Sequence, residues 1–209
     1  MNTDGIILDI DGTLWNSTPI VAKAWNEILE TRSDIPFRFT AEQLAGLFGR
    51  PLPVIADMAF PFLPEADRYA LIDECCRREH ELLRASSEDI LYPGVDRTIR
   101  TLSRSVPLFI VSNCQCGYIE LFLEKTGLGA FITDSECAGN TGLPKGPNIR
   151  MTAERNHLSR PVYVGDIDGD RIAAEEADVR FCHASYGFGA AARADWVIRR
   201  FDELLELFA

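Results

Sequence analysis

The sequence predicts a doubly wound, Rossmann-like α/β fold in which a mostly parallel sheet is interrupted by an all-helical insertion. Apolar runs that end in a carboxylate or hydroxyl side chain recur along the chain, and each precedes a segment with helical patterning. Strands that alternate with helices in this way form sheets covered by helices on both faces. A long segment near the N-terminus breaks the alternation, because it carries helical patterns alone.

Three apolar runs predict the central strands. Short continuous runs of β-branched and aromatic residues are typical of strands buried on both faces. The runs occupy residues 6–8, before Asp9; 108–111, before Ser112 and Asn113; and 162–165, before Asp166. We expect helices at 18–31, 117–125, 168–177 and 202–208, and further strands at 131–133, 179–182 and 196–198. Ligands bind beyond the carboxyl ends of strands in such sheets, which is where these polar side chains fall.

The segment 16–87 is predicted to be helical throughout. A Ser-Thr-Pro run opens it, as at many helix starts, and Thr40 and Gln43 have the spacing of a capping box. Residues 64–86 carry apolar side chains at helical spacings, which indicates a helix with one core-facing stripe. We therefore predict two domains: an α/β core of residues 1–15 and 88–209, and a helical domain of residues 16–87.

Composition excludes some classes of partner. The chain has 209 residues, with 21 basic and 32 acidic side chains and a formal net charge of −11. This acidity argues against nucleic acid and anionic membranes, since both attract clusters of Lys and Arg. Because the N-terminus carries no basic and apolar leader, we expect a cytoplasmic protein that acts on a small molecule. The six cysteines include no CxxC pair and are expected to be free thiols.

Asp9 and Asp11, with Gly12 and Thr13, form the most informative motif. Two carboxylates at positions i and i+2 leave a strand on the same side, so both can address one reacting centre. Gly12 permits a tight turn, and the hydroxyl of Thr13 can donate a hydrogen bond. The alternative is an ordinary Asp-Gly turn, which short polar side chains often stabilise.

Asp166, Asp168 and Asp170 form a second acidic group, between a predicted strand and a predicted helix. If the two strands are neighbours, Asp166 lies beside Asp9. Crowded carboxylates repel one another, and a hard divalent cation with oxygen ligands relieves this repulsion, which predicts Mg²⁺. For Asp168 the simpler interpretation is a favourable interaction with the helix N-terminus. An EF-hand loop that starts at Asp166 is excluded by its sixth and twelfth positions.

Lys145 is a candidate countercharge for this acidic site. It lies among loop-forming residues, with Pro144 before it and Gly146 after it, and this pattern excludes a Walker A loop. Beside carboxylates and a phosphoryl group, the ammonium group could hold a phosphoryl oxygen. The alternative is a solvated loop lysine.

Together these motifs resemble those of the haloacid dehalogenase superfamily of phosphohydrolases. They match the family's four motifs in order, over most of the chain: Asp9-x-Asp11-Gly12-Thr13, Ser112-Asn113, Lys145, and Gly165-Asp166-x-x-x-Asp170. The helical segment resembles the family's C1 cap domain. The layout is most similar to phosphoglycolate-phosphatase-like and β-phosphoglucomutase-like members.

The resemblance implies a role for each matched residue. Asp9 would be the nucleophile that forms an aspartyl-phosphate, and Asp11 would be the acid and then the base. Phosphoryl oxygens would be held by Thr13, Ser112, Asn113 and Lys145. The implied ligands of Mg²⁺ are Asp9, the backbone carbonyl of Asp11, and Asp166, with Asp170 supporting them. Ile167 stands where relatives often have Ser or Thr, which puts one supporting hydrogen bond in doubt.

Specificity is expected to lie in the cap. Arg50 follows Gly49 between two predicted helices, where relatives carry a loop that reaches the active site, so it could pair with a substrate anion. Its alternative is a surface arginine. Trp15 and Asn16 follow the first motif, and Trp15 either lines the site or packs at the hinge of the cap.

The resulting hypothesis is a Mg²⁺-dependent phosphatase for a small phosphorylated metabolite, either phosphoglycolate-like or a sugar phosphate. A phosphomutase of the β-phosphoglucomutase type would use the same residues. A non-catalytic phospho-sensing protein is the rival of another class, and the Asp9 and Asp11 pair disfavours it, because a sensor gains nothing from an acid and base that hydrolyse its phosphoryl group.

Overall fold

The structure is a computed structural model that describes residues 3–209. Its centre is a six-stranded sheet, parallel throughout, in the order β3-β2-β1-β4-β5-β6. The strands are β1 (Gly5–Leu8), β2 (Leu108–Ser112), β3 (Asp134–Cys137), β4 (Pro161–Gly165), β5 (Arg180–Ala184) and β6 (Trp196–Ile198). From β1 the chain builds the sheet first towards one edge, through β2 and β3, and then towards the other, through β4, β5 and β6, as in doubly wound sheets. The predicted fold class is therefore confirmed.

Helices connect the strands and cover both faces of the sheet. They are α1 (Thr18–Leu29), α2 (Ala41–Ala45), α3 (Leu52–Ala59), α4 (Glu65–Ala85), α5 (Val95–Leu102), α6 (Tyr118–Thr126), α7 (Ala138–Thr141), α8 (Lys145–Arg155), α9 (Asp168–Glu176) and α10 (Leu204–Phe208). Short 3-10 turns occupy Gly129–Phe131 and Phe201–Glu203. Within residues 3–209, none of the helices combines the length and the apolar character that crossing a bilayer requires.

Each face of the sheet has its own apolar core. Ile7, Phe109 and Tyr163 pack on one face with Ile149 of α8 and Ala173 of α9. The residues that alternate with them along the strands pack on the other face against α5, α6 and α10. Because side chains alternate between the two faces of a strand, the uninterrupted apolar runs reflect this burial on both sides.

Residues 16–87 contain α1 to α4 and no strand. Trp25 of α1 is buried here, edge-on to Phe39 and stacked near Phe60. The predicted capping box is confirmed, since Gln43 N donates to Thr40 Oγ1 (3.2 Å) and Thr40 N donates to Gln43 Oε1 (2.9 Å). The division of the chain into two domains stays a prediction.

The strand predicted at 131–133 is wrong. Phe131 ends a 3-10 turn, and β3 begins three residues later, at Asp134. Phe131 and Ile132 are apolar because they pack against the core from outside the sheet. The strand itself lies at the sheet edge and is polar, and Arg155 pairs with Asp134 at 2.7 Å, so it lacks the apolar run that marks a central strand.

The interpretation of Lys145 as a loop residue is also wrong. Lys145 is the first residue of α8, follows Pro144 at the N-cap, and is buried. Proline is tolerated where a helix starts, because the first amides of a helix have no intrahelical partner. The other predicted helices and strands are present, with ends shifted by at most two residues. Helices α5, α7 and α8 were not predicted.

Candidate active site

The predicted polar residues meet at the carboxyl edge of the sheet. β1 pairs with both β2 and β4, and Leu8 lies opposite Val164 in the pairing with β4. Asp9 follows β1 directly, and its backbone N donates to Val164 O at 2.9 Å. Asp166 follows β4 in the same way, so the predicted adjacency of Asp9 and Asp166 is confirmed.

Three buried carboxylates form a cluster at this edge. Asp9, Asp166 and Asp170 each offer a carboxylate oxygen, and these oxygens all lie within 4.8 Å of one another. Asp9 Oδ1 is buried and has no hydrogen-bond donor with good geometry among the described residues. An all-oxygen donor set of this kind suits a hard divalent cation such as Mg²⁺.

Lys145 is the cation in contact with the cluster. Its Nζ donates to Asp170 Oδ1 at 2.6 Å and lies 3.0 Å from Asp9 Oδ1. Burial alone would lower the pKa of Lys145, but the carboxylates of Asp170 and Asp9 raise it well above its ordinary value. The lysine therefore stays charged, and three carboxylates against one ammonium group leave two negative charges to be offset.

Burial, together with this excess charge, raises the pKa values of two of the carboxylates. Burial is the main cause that raises the pKa of Asp9 to about 7, against the opposing effect of Lys145. Burial, followed by the charges of Asp170 and Asp9, raises the pKa of Asp166 to about 8. A divalent cation bound to these oxygens would reverse both shifts, because it favours the ionised forms. The residues present therefore fit Mg²⁺.

Asp170 supports the cluster through both of its oxygens. While Oδ1 accepts from Lys145, Oδ2 accepts from the backbone amides of Asp166 (2.9 Å) and Ile167 (3.1 Å). The side chain of Ile167 forms no hydrogen bond and instead lies against Gly49 of the helical segment. Asp168 is separate from the cluster: it is the first residue of α9 and pairs with Arg171 at 2.6 Å.

Asp166 is held from two sides. Thr13 Oγ1 donates to Asp166 Oδ1 at 3.3 Å, and the backbone N of Phe188 donates to Oδ2 at 2.7 Å. Gly12 must be glycine at this point, because its φ is +83° and a Cβ would lie 2.1 Å from Asp166 Oδ2. The turn predicted from the Asp-Gly sequence thus brings the first motif against Asp166.

Asp11 lies close to this cluster but points to different partners. Its Oδ1 accepts hydrogen bonds from Trp15 Nε1 (2.9 Å), Ser17 Oγ (2.5 Å) and Tyr118 OH (2.8 Å). Burial raises the pKa of Asp11, and these three donors oppose the rise. Oδ2 has no hydrogen-bond partner among residues 3–209 and is available to exchange a proton.

A small cavity lies between the sheet edge and the helical segment. Its volume open to the centre of a water molecule is about 40 Å³. Residues from the sheet side include Asp9, Asp11, Ser112, Asn113 and Gln115, and those from the helical side include Trp25, Phe48, Arg50, Leu52, Ile55 and Glu79. The two catalytic candidates and both residues of the second motif therefore line one small cavity.

Hydrogen bonds of Asn113 and Gln115 join the core to the helical segment across this cavity. Asn113 Nδ2 donates to Gly49 O at 2.9 Å, and Gln115 Nε2 donates to Glu79 Oε1 at 2.5 Å. Gly49 has a φ of +83°, and a Cβ there would lie 2.5 Å from Ile167 Cδ1. The loop that carries Arg50 is thus held tightly against the sheet edge.

Three predicted specificity residues have distinct surroundings. Arg50 lines the cavity and is half-buried, and its Nη1 donates to Gly46 O at 2.5 Å. Trp15 supports Asp11 and packs edge-on against Tyr118 and Phe122, outside the residues that line the cavity. Asn16 Oδ1 accepts from Thr18 at the start of α1, with Thr18 Oγ1 at 2.7 Å.

Several residues of the site were not predicted. Tyr118 and Ser17 hold Asp11, Phe188 holds Asp166, and Glu79 and Gln115 line the cavity. The one available sequence signal was the position of Gln115, three residues after Ser112 at a strand end. Glu79 was hidden in the apolar stripe of a helix rich in charged residues, where a buried carboxylate has no distinct pattern.

The fold and site together define an α/β protein with a cluster of buried carboxylates at the sheet edge, as in enzymes that act through a bound cation, and comparisons with known proteins agree on the class. A family model described as "Haloacid dehalogenase-like hydrolase" matches residues 6–184. A phosphoglycolate phosphatase of Cereibacter sphaeroides is 27% identical over 191 residues, which cover 88% of this chain and 86% of that protein. One from Xanthomonas campestris pv. campestris is 28% identical over 193 residues, covering 88% of this chain and 83% of that protein.

Solved structures share the fold. The crystal structure of a predicted phosphoglycolate phosphatase from Haemophilus somnus has a TM-score of 0.86 and 21% sequence identity, and the match covers 99% of this chain and 98% of that one. The chain belongs to the haloacid dehalogenase-like hydrolases. The predicted family resemblance and the predicted class of enzyme, a phosphatase of this superfamily, are confirmed.

Proposed function

We propose that this protein is a Mg²⁺-dependent phosphatase that hydrolyses a small phosphorylated metabolite through an aspartyl-phosphate on Asp9. The observation that carries the proposal is the cluster of Asp9, Asp166, Asp170 and Lys145 beside a small cavity. Phosphoryl transfer depends mainly on positioning and on compensation of charge, and this cluster supplies both. Relatives named phosphoglycolate phosphatases support a small monoester as the substrate.

In the first step, a carboxylate oxygen of Asp9 attacks phosphorus, and the bond from phosphorus to the leaving oxygen breaks. Asp11 donates a proton to that oxygen from Oδ2, since its Oδ1 is occupied by three donors. The raised pKa of Asp11 supports this role, because it favours the protonated form. The products of the step are the aspartyl-phosphate and the free alcohol.

In the second step, Asp11 accepts a proton from a water molecule, whose oxygen attacks phosphorus. Inorganic phosphate leaves, and the carboxylate of Asp9 is restored. Asp11 ends the cycle protonated, as it began. The same group thus serves as acid and base in turn.

The remaining residues would bind the phosphoryl oxygens or the metal ion. Lys145 contacts Asp9 and is placed to bind a phosphoryl oxygen, as are Ser112 and Asn113 at the cavity wall. Thr13 is a weaker candidate for such a contact, because its hydroxyl already donates to Asp166. The ligands of Mg²⁺ would be Asp9, Asp166 and the backbone carbonyl of Asp11, with Asp170 orienting Lys145. A bound Mg²⁺ favours the ionised form of Asp9 and offsets the charge of the phosphoryl oxygens.

Release of phosphate from p-nitrophenyl phosphate tests the proposal. We expect turnover with Mg²⁺, its loss on addition of EDTA, and its return when Mg²⁺ is supplied in excess, because the carboxylates need a cation to act together. Turnover that EDTA leaves unchanged would contradict the role of the acidic cluster. Conversion of β-glucose 1-phosphate to glucose 6-phosphate without free phosphate would instead indicate a phosphomutase, and a stable phosphoprotein with no release would indicate a sensor.

A further inference from the structure

Glu79 is a buried carboxylate of the cavity that the reaction steps above do not use. It belongs to α4 in the helical segment and is 4% exposed. Both of its oxygens are engaged by neutral donors: Trp25 Nε1 donates to Oε2 at 2.9 Å, and Gln115 Nε2 donates to Oε1 at 2.5 Å. No ion pair of Glu79 occurs in the described part of the chain, so its charge meets the cavity without compensation.

Glu79 lines the cavity in which the substrate would bind. Glu79 lines the same small space as Asp9, Asp11 and Ser112. A leaving group that extends into this space from a phosphate at Asp9 meets the helical side of the cavity. The atoms it meets there include the carboxylate of Glu79.

A second anion on the leaving group is poorly matched to this environment. Two desolvated carboxylates in contact repel, and neither has a counterion to reduce the cost. The nearby donors are already engaged, because the indole of Trp25 donates its one N–H to Glu79, and the amide of Gln115 contacts both Glu79 and, at 3.2 Å, His80 Nε2. Arg50 also lines the cavity, but it is half-buried and donates to Gly46 O, so its charge is screened by solvent.

A hydrogen-bond donor on the leaving group fits the same environment. Each carboxylate oxygen of Glu79 accepts one hydrogen bond from protein and retains a second lone pair. A hydroxyl or an ammonium group can use that lone pair. In a site built to accept a hydrogen bond, a substrate without the donor is strongly disfavoured, because the buried acceptor stays unpaired.

We propose that Glu79 is a specificity residue that selects small phosphate monoesters whose leaving group ends in a hydrogen-bond donor and disfavours those that end in a carboxylate. The proposal rests on the proposed phosphatase function and narrows its substrate class. It predicts that this chain disfavours phosphoglycolate, the substrate for which its relatives are named, since phosphoglycolate ends in a carboxylate.

Three two-carbon substrates of nearly equal size test the proposal: 2-hydroxyethyl phosphate, 2-aminoethyl phosphate and 2-phosphoglycolate. At pH 8 with saturating Mg²⁺, we expect kcat/KM for at least one of the first two to exceed that for 2-phosphoglycolate by about tenfold or more. Comparison of kcat/KM between 2-hydroxyethyl phosphate and 2-aminoethyl phosphate shows whether a hydroxyl or an ammonium group is the favoured donor. This comparison uses the wild-type protein and depends on no variant.

Two variants assign the selectivity to one side chain. Glu79→Gln removes the charge with little change in shape, and we expect it to raise kcat/KM for 2-phosphoglycolate, relative to the favoured substrate, by about tenfold. Glu74→Gln makes the same change at an exposed position of α4 and should leave the ratio unchanged. Circular dichroism of each variant confirms that it is folded.

The outcomes distinguish the two proposals. Wild-type preference for 2-phosphoglycolate, or an unchanged ratio in folded Glu79→Gln, would overturn the role of Glu79 while p-nitrophenyl phosphate is still hydrolysed. Turnover of p-nitrophenyl phosphate with none of the three substrates hydrolysed would also overturn it. If p-nitrophenyl phosphate is not hydrolysed either, the phosphatase function fails, and the role of Glu79 fails with it.

Discussion

The two sides of the cavity hold buried negative charge in different ways. On the sheet side, Asp9 and Asp170 contact the ammonium group of Lys145, and a cluster of three carboxylate oxygens fits a divalent cation. On the helical side, Glu79 accepts hydrogen bonds from two neutral donors. On the sheet side, where bonds to phosphorus would change, cationic groups compensate the negative charge. On the helical side, where the leaving group would lie, the dipoles of an indole and an amide do so.

The difference indicates a division of tasks. Carboxylates arranged around cations can respond to the charge of a transferring phosphoryl group, as catalysis requires. A carboxylate held by an indole and an amide cannot respond in this way, but it discriminates among neutral, cationic and anionic groups. On the proposed function, the sheet side would carry out the reaction, and the helical side would select the substrate.

Removal of the cation on the sheet side should have the largest effect. We expect Lys145→Met to lower phosphate release by about 10²–10³-fold. It should also lower the free energy of unfolding by about 3–5 kcal/mol, because it leaves the buried charges of Asp9 and Asp170 unpaired. Urea unfolding and phosphate release measure the two effects.

Lys23→Met is the matched control, since Lys23 is exposed on α1. Its unfolding free energy should stay within about 0.5 kcal/mol of wild type. Added Mg²⁺ should recover part of the stability that Lys145→Met loses, because a ligand that binds the folded state stabilises it. If Lys145→Met is as stable as Lys23→Met without Mg²⁺, the sheet side does not depend on charge compensation as argued.

The carboxylate of Glu79, which has no ion pair within residues 3–209, should make the stability of the protein depend on pH. Burial raises the pKa of Glu79 to about 7 in the folded state, from an ordinary value of 4.5. Between these pH values the folded state binds more protons than the unfolded state, so wild-type stability falls as pH rises. Glu79→Gln does not titrate. Its stability relative to wild type should therefore increase by up to about 3 kcal/mol from pH 4.5 to pH 8.

Unfolding free energies at several pH values check this prediction, with Glu74→Gln as the control for an exposed carboxylate on the same helix. The control should follow wild type throughout. Parallel stability curves for wild type and Glu79→Gln would mean that Glu79 is not held in an unfavourable charged state.

The sheet side could be predicted from sequence, and the helical side largely could not. Asp9, Ser112 and Asp166 directly follow apolar runs, and the parallel topology then fixes that they share one edge. Lys145 was identified, but its burial at the start of α8 was missed, since the flanking Pro144 and Gly146 look like a loop. Glu79 depends on how α4 packs against the core, which no local pattern of that helix encodes.

The central claim is that Asp9 is the nucleophile of a phosphatase, and phosphate release by Asp9→Asn tests it most directly. Measured on p-nitrophenyl phosphate with saturating Mg²⁺, turnover should fall by more than about 10³-fold while the circular dichroism spectrum is retained. Asp168→Asn, a change at a half-buried carboxylate that pairs with Arg171 outside the cluster, should keep wild-type turnover. Wild-type-like release of phosphate by folded Asp9→Asn would contradict the account.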